Sequence, residues 1–415
     1  MAQKYWIVFF MTSFVLFGCA PQLPVSEVQK PEISAVETAS VKVPVKQADY
    51  QELFPEERVI TRLIPVQLED TYPVTNAYFR DDTAGYASFL NFVKNNMFLA
   101  GVYHQNFDER VIIRITNEYQ FPQPNVPFQV VNQHGKFLWR GVTFANGESV
   151  VYPNLMFLKT PWDQLFVEVE YAGSRLRKPL SGNGEELITI AIPQETETTY
   201  LDMLLVLDGD GQMRSEIEQL QKTVGEIYSR LCKDFPSISF RIGLIAYRDQ
   251  EDNYEISRFD FMNDISEIQV NLNSIEYYSG SGNPENIQLA LRAAVRKMSW
   301  RTNAIKLSIL LTDALPYVDF EQTYTYLDAA MEANRRGIKI FPIGAPELNI
   351  VSEYMLRQIA VLTSSRFISL NDFRIGESAI GEASHLIDEI IINIVSREIG
   401  YQTSVLNITR KASLQ

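Results

Sequence analysis

A chain of 415 residues exceeds what one hydrophobic core usually serves, which predicts two folded domains with tails. Its 46% hydrophobic and 21% charged residues are ordinary for globular protein. The formal net charge of −14 argues against a nucleic-acid partner, which needs a basic face.

The first residues lie outside any fold. Met1-Ala2-Gln3-Lys4 is a short n-region with one positive charge, and Tyr5 to Phe17 is an apolar h-region. That run is too short to span a bilayer comfortably, which takes roughly 20 apolar residues. Composition alone fits an ordinary signal peptide or a short membrane anchor. Leu16-Phe17-Gly18-Cys19 resembles a bacterial lipobox. The resemblance implies that residues 1–18 are removed, that Cys19 is lipidated (a palmitate-bearing anchor), and that Ala20, not Asp, directs the protein to the outer membrane. Cys232 then has no cysteine to pair with, and its place in a helical pattern reads as a small buried hydrophobe.

Residues 19–50 are rich in Pro, Val, Ser, Glu, Gln and Lys without apolar periodicity, which predicts a flexible tether. Residues 51–100 form a short helical or irregular lead-in, in which Tyr86, Phe89, Leu90 and Val93 are spaced like a short helix. Over 101–195 the period becomes two. Val111 to Ile115, Val126 to Val131, Phe137 to Trp139, Phe166 to Tyr171 and Leu187 to Ile192 read as strands, and Asn146-Gly147 reads as a hairpin turn. The expectation is a small antiparallel β-sandwich. Asn125-Val126-Pro127, Gly135-Lys136, Trp139 and Ala145 to Glu148 resemble transthyretin-like or carboxypeptidase-regulatory sandwiches, which implies a spacer or stalk.

Over 198–400 strands and helices alternate, the pattern of a doubly wound, mostly parallel α/β domain. The strand Met203 to Leu207 runs into Asp208-Gly209-Asp210-Gly211-Gln212. A helix follows with Ile217, Leu220, Val224, Ile227 and Leu231 spaced three and four apart. Phe240 to Tyr247, Lys306 to Thr312 and Ile338 to Ile343 are further strands. A helix opened by Asn283-Pro284-Glu285 turns Ile287, Leu291, Ala294 and Met298 inward. Tyr354 to Leu362 and Ile387 to Val395 read as amphipathic helices, and 401–415 as a tail with little pattern.

Asp202 to Met213, Ile242 to Asp249 (ending Tyr247-Arg248-Asp249), Ser279 to Glu285 and Ser308 to Pro316 (carrying Leu311-Thr312-Asp313) together resemble a von Willebrand factor type A domain of the bacterial kind. The family builds a metal-ion-dependent adhesion site from these loops, with one coordination position open to a partner's carboxylate. The resemblance implies Asp208, Asp210, Gln212, Ser281, Asn283 and Asp313 as ligands of Mg²⁺ or Ca²⁺, hard cations that take oxygen donors. It departs from the pattern where Asp210 and Gln212 replace serines and Gly282 falls on an Asp. The extra carboxylate would strengthen the hold on a cation and blunt its attraction for a partner's carboxylate. The alternative is a metal-free, silent site in which Asp208 and Asp210 only cap the following helix. Tyr277 and Tyr278 are candidate partner-contact residues on its rim.

His104, His134 and His385 are isolated, no zinc spacing occurs, and Asp249 reads as an ion-pair residue. No nucleophile–base pair stands out, so a binding protein is expected and not an enzyme, with no small-molecule substrate; a hydrolase with an acidic metal centre is a remote third reading. The leading expectation is a membrane-anchored lipoprotein of the cell envelope that binds a protein partner in the envelope or outside the cell. The rival is a structural subunit of an envelope assembly.

Overall fold

A computed structural model describes residues 81–156, 161, 164–171, 173–181, 184–193, 199–209, 213–248, 256–275, 287–313, 324–345, 348–370 and 386–412, without the side chains of 386 and 402–412. The signal segment, Cys19, the tether and most of the lead-in lie outside these residues. So do Asp210, Gln212, Asp249, Tyr277, Tyr278, Ser281, Asn283 and His385. By internal contacts the chain divides into Met1–Tyr72 and Pro73–Gln415, and the elements that follow all belong to the second unit.

The apolar spacing after Gly85 forms α1 (Tyr86–Asn95), which buries Tyr86, Phe89 and Val93. The β-rich part follows as β1 (Arg110–Thr116), β2 (Pro127–Asn132), β3 (Phe137–Val142), β4 (Glu148–Val151), the one-turn α2 (Pro153–Met156), β5 (Leu165–Tyr171), β6 (Ser174–Pro179) and β7 (Glu185–Ala191). These strands make a three-stranded sheet, β4-β1-β7, and a four-stranded sheet, β3-β2-β5-β6. Their inner faces close over Val111, Ile113, Val130, Val167 and Ile190. The ladders are antiparallel except one, since β7 returns parallel to β1.

Asn146-Gly147 closes a short hairpin turn, with Gly147 N–H donating to Phe144 O at 2.9 Å and Phe144 N–H donating to Glu148 O at 2.7 Å, but the pairing goes no further. Its flanking strands β3 and β4 belong to different sheets. β1 also holds the turn, its Ile115 N–H donating to Gly147 O at 2.8 Å. Spacing and turn chemistry specify the reversal, whereas the neighbour a strand pairs with is a tertiary choice.

The second part runs β8 (Tyr200–Asp208), α3 (Arg214–Asp234), β9 (Ser239–Tyr247), β10 (Ile256–Met262), α4 (Ile265–Asn273), α5 (Ile287–Arg296), β11 (Ile305–Thr312), α6 (Tyr326–Arg335), β12 (Ile338–Gly344), α7 (Ile350–Leu362), β13 (Ile368–Ser369) and α8 (Leu386–Ala412). The sheet order is β10-β9-β8-β11-β12-β13, parallel throughout except for β10 against β9. Both faces of β8 are buried. Met203, Leu205 and Leu207 pack towards α3 and α8, while Leu204 and Val206 pack towards α5, α6 and α7. The spaced residues of α3 are buried as expected, as are Ile287, Leu291, Ala294 and Met298. α8 does not end near Gly400: its backbone stays helical through the expected tail to Ala412. Cys232 is partly buried against the α3 side of the core.

The β-rich part is not a detached stalk. Phe107, Val150 and Tyr152 share one apolar cluster with α1, α5, α6 and α7. Tyr152 OH donates to Val361 O at 3.1 Å, and Asn334 Nδ2 donates to both Val150 O (3.0 Å) and Leu362 O (2.8 Å). This covering explains why α7, expected to be amphipathic, is buried on nearly every side. Among the described residues no helix is long and apolar enough to cross a membrane.

Candidate functional site at the carboxyl edge of the sheet

The register of three neighbouring strands places the candidate site. Asp208 pairs with Tyr247 across β8 and β9, and Leu207 pairs with Leu311 across β8 and β11. Alternation then puts Asp208, Tyr247 and Thr312 on one face at the carboxyl ends of adjacent strands, with Asp313 as the next residue out. All three are fully buried, and Asp313 is partly buried. Asp208 and Asp313, about a hundred positions apart in sequence, thus meet at one corner. A crevice outside the carboxyl ends of parallel strands is where open α/β sheets place ligands.

Two hydroxyls hold Asp208. Thr312 Oγ1 lies 2.9 Å and Tyr247 Oη 3.1 Å from Asp208 Oδ2, and the two hydroxyls lie 2.9 Å from each other. Such a triangle fixes the carboxylate's orientation before any ligand arrives. The chain leaves β8 tightly, with Gly209 N–H donating to Tyr247 O at 2.8 Å. A Cβ at 209 would stand 3.0 Å from that same oxygen, so glycine lets the strand end lie against β9.

The other end of β8 carries a second buried carboxylate with a different environment. Asp202 receives both Nε and an Nη of Arg241 at 2.9 Å, together with the backbone N–H and the guanidinium of Arg301 at 2.7–2.8 Å. Arg241 grips both carboxylate oxygens, while Arg301 reaches Oδ1 with its guanidinium and Oδ2 with its backbone N–H, which makes Asp202 a structural clamp at the amino edge.

Of the six expected ligands, Asp208 and Asp313 are brought together and the other four lie outside the described residues. Among the described residues no group of three His, Cys, Asp or Glu is arranged to hold a metal. The donors that do converge are carboxylate and hydroxyl oxygens, which fit a hard divalent cation in kind and would not suit zinc or copper. The contribution of Tyr247 and Thr312 was not anticipated, although both stand in the motif segments. Their odd–even position relative to Asp208 was the available signal. His104 is structural: its Nε2 lies 2.8 Å from Leu99 O and so carries the proton, leaving Nδ1 to accept from Tyr354 OH at 3.1 Å.

Residues 202–379 match the von Willebrand factor type A domain, and they form its mostly parallel sheet flanked by helices. No curated protein matches the chain. Among solved structures, the conserved hypothetical protein BatB from Bacteroides thetaiotaomicron is similar at 16% identity, over 48% of this chain and 99% of that one, with a TM-score of 0.34. An aerotolerance-related membrane protein from Bacteroides fragilis NCTC 9343 is similar at 14% identity, over 45% of this chain and 98% of that one, with a TM-score of 0.32. The pilus adhesin SpaC from Lactobacillus rhamnosus GG, in its open conformation, is similar at 14% identity over 55% of this chain and 32% of that one, with a TM-score of 0.36.

Proposed function

We propose that the von Willebrand factor type A domain of this chain binds a protein partner at the carboxyl edge of its sheet, through an adhesion site of altered composition. The observation that carries this reading is the convergence of Asp208, Thr312 and Asp313 on adjacent strand ends. A domain of this family supports a protein-interaction role. Asp208, Asp210, Gln212, Ser281, Asn283 and Asp313 would hold Mg²⁺ or Ca²⁺, and Tyr277 and Tyr278 would line the rim. A bound cation supplies a positive coordination position for a partner's carboxylate. Asp208, pre-oriented by Tyr247 and Thr312, pays little reorganisation on taking that role. The protein belongs, in this reading, to the cell envelope, held by lipid on Cys19 at the outer membrane, and performs no catalysis.

Thermal melting with and without Mg²⁺ or Ca²⁺ tests the site, because a ligand that binds only the folded state raises the midpoint. The expected result is a shift in the natural chain that vanishes in Asp208→Ala. Photocrosslinking from position 277 should then capture a partner that is lost in Asp313→Ala, with position 187 on the β-rich part as control. No shift in the natural chain, or an equal one in Asp208→Ala, replaces this reading with its rival, a structural subunit with a silent site. The hydroxyl triangle favours that rival to the extent that it already satisfies Asp208 without a cation's help. Palmitate labelling that disappears in Cys19→Ala tests the anchor separately.

A further inference from the structure

Between α1 and β1 the chain crosses the carboxyl edge of the sheet as a strap. Asp82, ahead of α1, meets Arg357; Phe92 meets Tyr354; and Gly101 lies against Val351. α1 therefore runs antiparallel to α7, and the segment after it arrives where α7 begins. That place is beside the Asp208 corner. Gly344, the last residue of β12, pairs with Thr312, and Ala345 N–H donates to Thr312 O at 3.1 Å. Strands about 4.8 Å apart put Gly344 about 10 Å from Asp208. Leu348 stands over Gly344, where a Cβ would come within 2.7 Å of Leu348 Cδ2. Ile350, two residues on, is then within about 25 Å of Asp208.

The strap is anchored on its inner side and bare on its outer side. Leu99 packs on the apolar cluster of α5, α6 and α7, and Val102 is buried. Tyr103 N–H donates to Tyr326 Oη at 3.2 Å, and Tyr103 O accepts from Gln358 Nε2 at 3.0 Å. Between the buried Val93 and these anchors, Met97 is 61% and Phe98 80% exposed, and Ile350 at the start of α7 is 41% exposed. Single apolar residues on a surface need no explanation. Phe137 on β3, Leu187 on β7 and Val270 on α4 are of that kind, each on an element of its own. Met97, Phe98 and Ile350 instead share one rim, held outward by anchored neighbours. We propose that these three residues form the apolar part of the partner-binding face, seating a bulky apolar side chain of the same protein whose carboxylate reaches the Asp208–Asp313 corner. The proposal rests on the reading of that corner as an adhesion site and extends the face beyond residues 202–379.

Continuity with the corner selects this occupant. An interface of about 800 Å² per partner is about 30 Å across, wide enough for one protein to cover the corner and the rim. Met and aromatic side chains are enriched at such interfaces. A lipid surface fits less well, because α1 carries one basic residue, Lys94, and a net charge of −14 repels anionic headgroups. The same charge on both sides disfavours a second copy of the chain. Photocrosslinking in living cells from a benzophenone amino acid at position 98 tests the proposal. The expected result is a protein adduct of the same mass as that from position 277, lost in Asp313→Ala and not formed from position 270. Phe98→Ser should reduce the adduct from position 277 about tenfold, as loss of an interface anchor does, with the thermal midpoint unchanged because the side chain is exposed. An adduct from 277 with none from 98, or one that Phe98→Ser leaves unchanged, overturns this inference and leaves the adhesion site standing. An adduct from 98 that survives Asp313→Ala, one of twice the chain's own mass, or label on lipid alone gives the rim another occupant and also overturns it. No adduct from either position overturns both readings.

Discussion

Arg357 on α7 grips Asp82, ahead of α1, with two hydrogen bonds of 2.7 Å, and both side chains are almost wholly buried. The pair stitches the segment leading into the β-rich part to the von Willebrand factor type A domain. Arg357 also lies over the Phe92 ring at 3.7 Å, so the guanidinium closes a contact between α1 and α7. Removing one partner of a buried pair leaves an uncompensated charge, so Arg357→Ala should cost about 3–5 kcal/mol. Because the two parts share one apolar cluster, the loss should be felt on both sides. Amide exchange measured by mass spectrometry should accelerate together in β5 and β11. Acceleration confined to β11 would mean that the two parts are only loosely joined.

The two buried carboxylates of β8 should respond differently to the same substitution. Asp202→Asn withdraws charge from beneath Arg241 and Arg301 and should cost about 2–4 kcal/mol, discounted for the partial exposure of both arginines. Asp208→Asn keeps an acceptor for the hydroxyls of Tyr247 and Thr312 and should cost about 1 kcal/mol or less. Urea unfolding of the two variants side by side measures the difference. Equal losses would show that Asp208 has a structural role as large as the arginine clamp. Tyr247→Phe should lower stability by about 1 kcal/mol and still leave any cation-induced midpoint shift in place, because the ligand oxygens remain.

Much of this architecture is legible in sequence because it follows from short-range periodicity. β8 alternates its apolar residues between two covered faces, and the spacing in α3 and α5 predicts their buried sides residue by residue. The elements that escape notice lack such a pattern. β6 is Ser-Arg-Leu-Arg-Lys-Pro, exposed except at Leu176, which packs against the sandwich core, and its Arg175 and Arg177 lie over the buried Glu168 of β5. β10 is an edge strand with no fully buried residue, and α6 packs largely through small alanines, which carry little hydrophobic signal. The Asp208–Asp313 corner is legible because each residue ends a recognisable strand. The Asp202 clamp is not, since one of its partners, Arg301, comes from about a hundred residues away.

Gly147 illustrates a position where backbone geometry leaves no latitude. Its φ of +71° is costly for other residues, and a Cβ there would stand 2.7 Å from Ile115 O and 2.8 Å from Gln123 N. Both obstacles are backbone atoms of a packed turn and cannot move aside. Gly147→Ala should therefore destabilise by more than about 1 kcal/mol, the usual scale for alanine at a compatible site reversed in sign. Gly135, with φ of +75° and open space around it, supplies the control. The same substitution there should cost clearly less in thermal melts, and equal losses would show that φ alone, without the steric contact, accounts for Gly147.

Lys306 gives the fold a distinctive response to alkaline pH. It is nearly buried beside the β-rich part, donating to Asn125 Oδ1 at 2.8 Å and to Thr302 O at 3.1 Å. Burial pushes its ammonium down to about 8, against the opposing pull of Asp202. Between that value and the unfolded value near 10.4, the unfolded chain holds a proton that the folded chain has released. Stability therefore rises with pH across this window, by up to about 1 kcal/mol per pH unit. Above about pH 10 the buried tyrosines oppose it: burial raises Tyr86, Tyr152 and Tyr326, so the folded state keeps protons that the unfolded state loses. Urea midpoints should accordingly climb from about pH 8 to about pH 9.5 and then fall. Lys306→Met, which retains the side chain's length without its charge, should flatten the climb and leave the later fall. An identical climb in that variant would place its origin in another group.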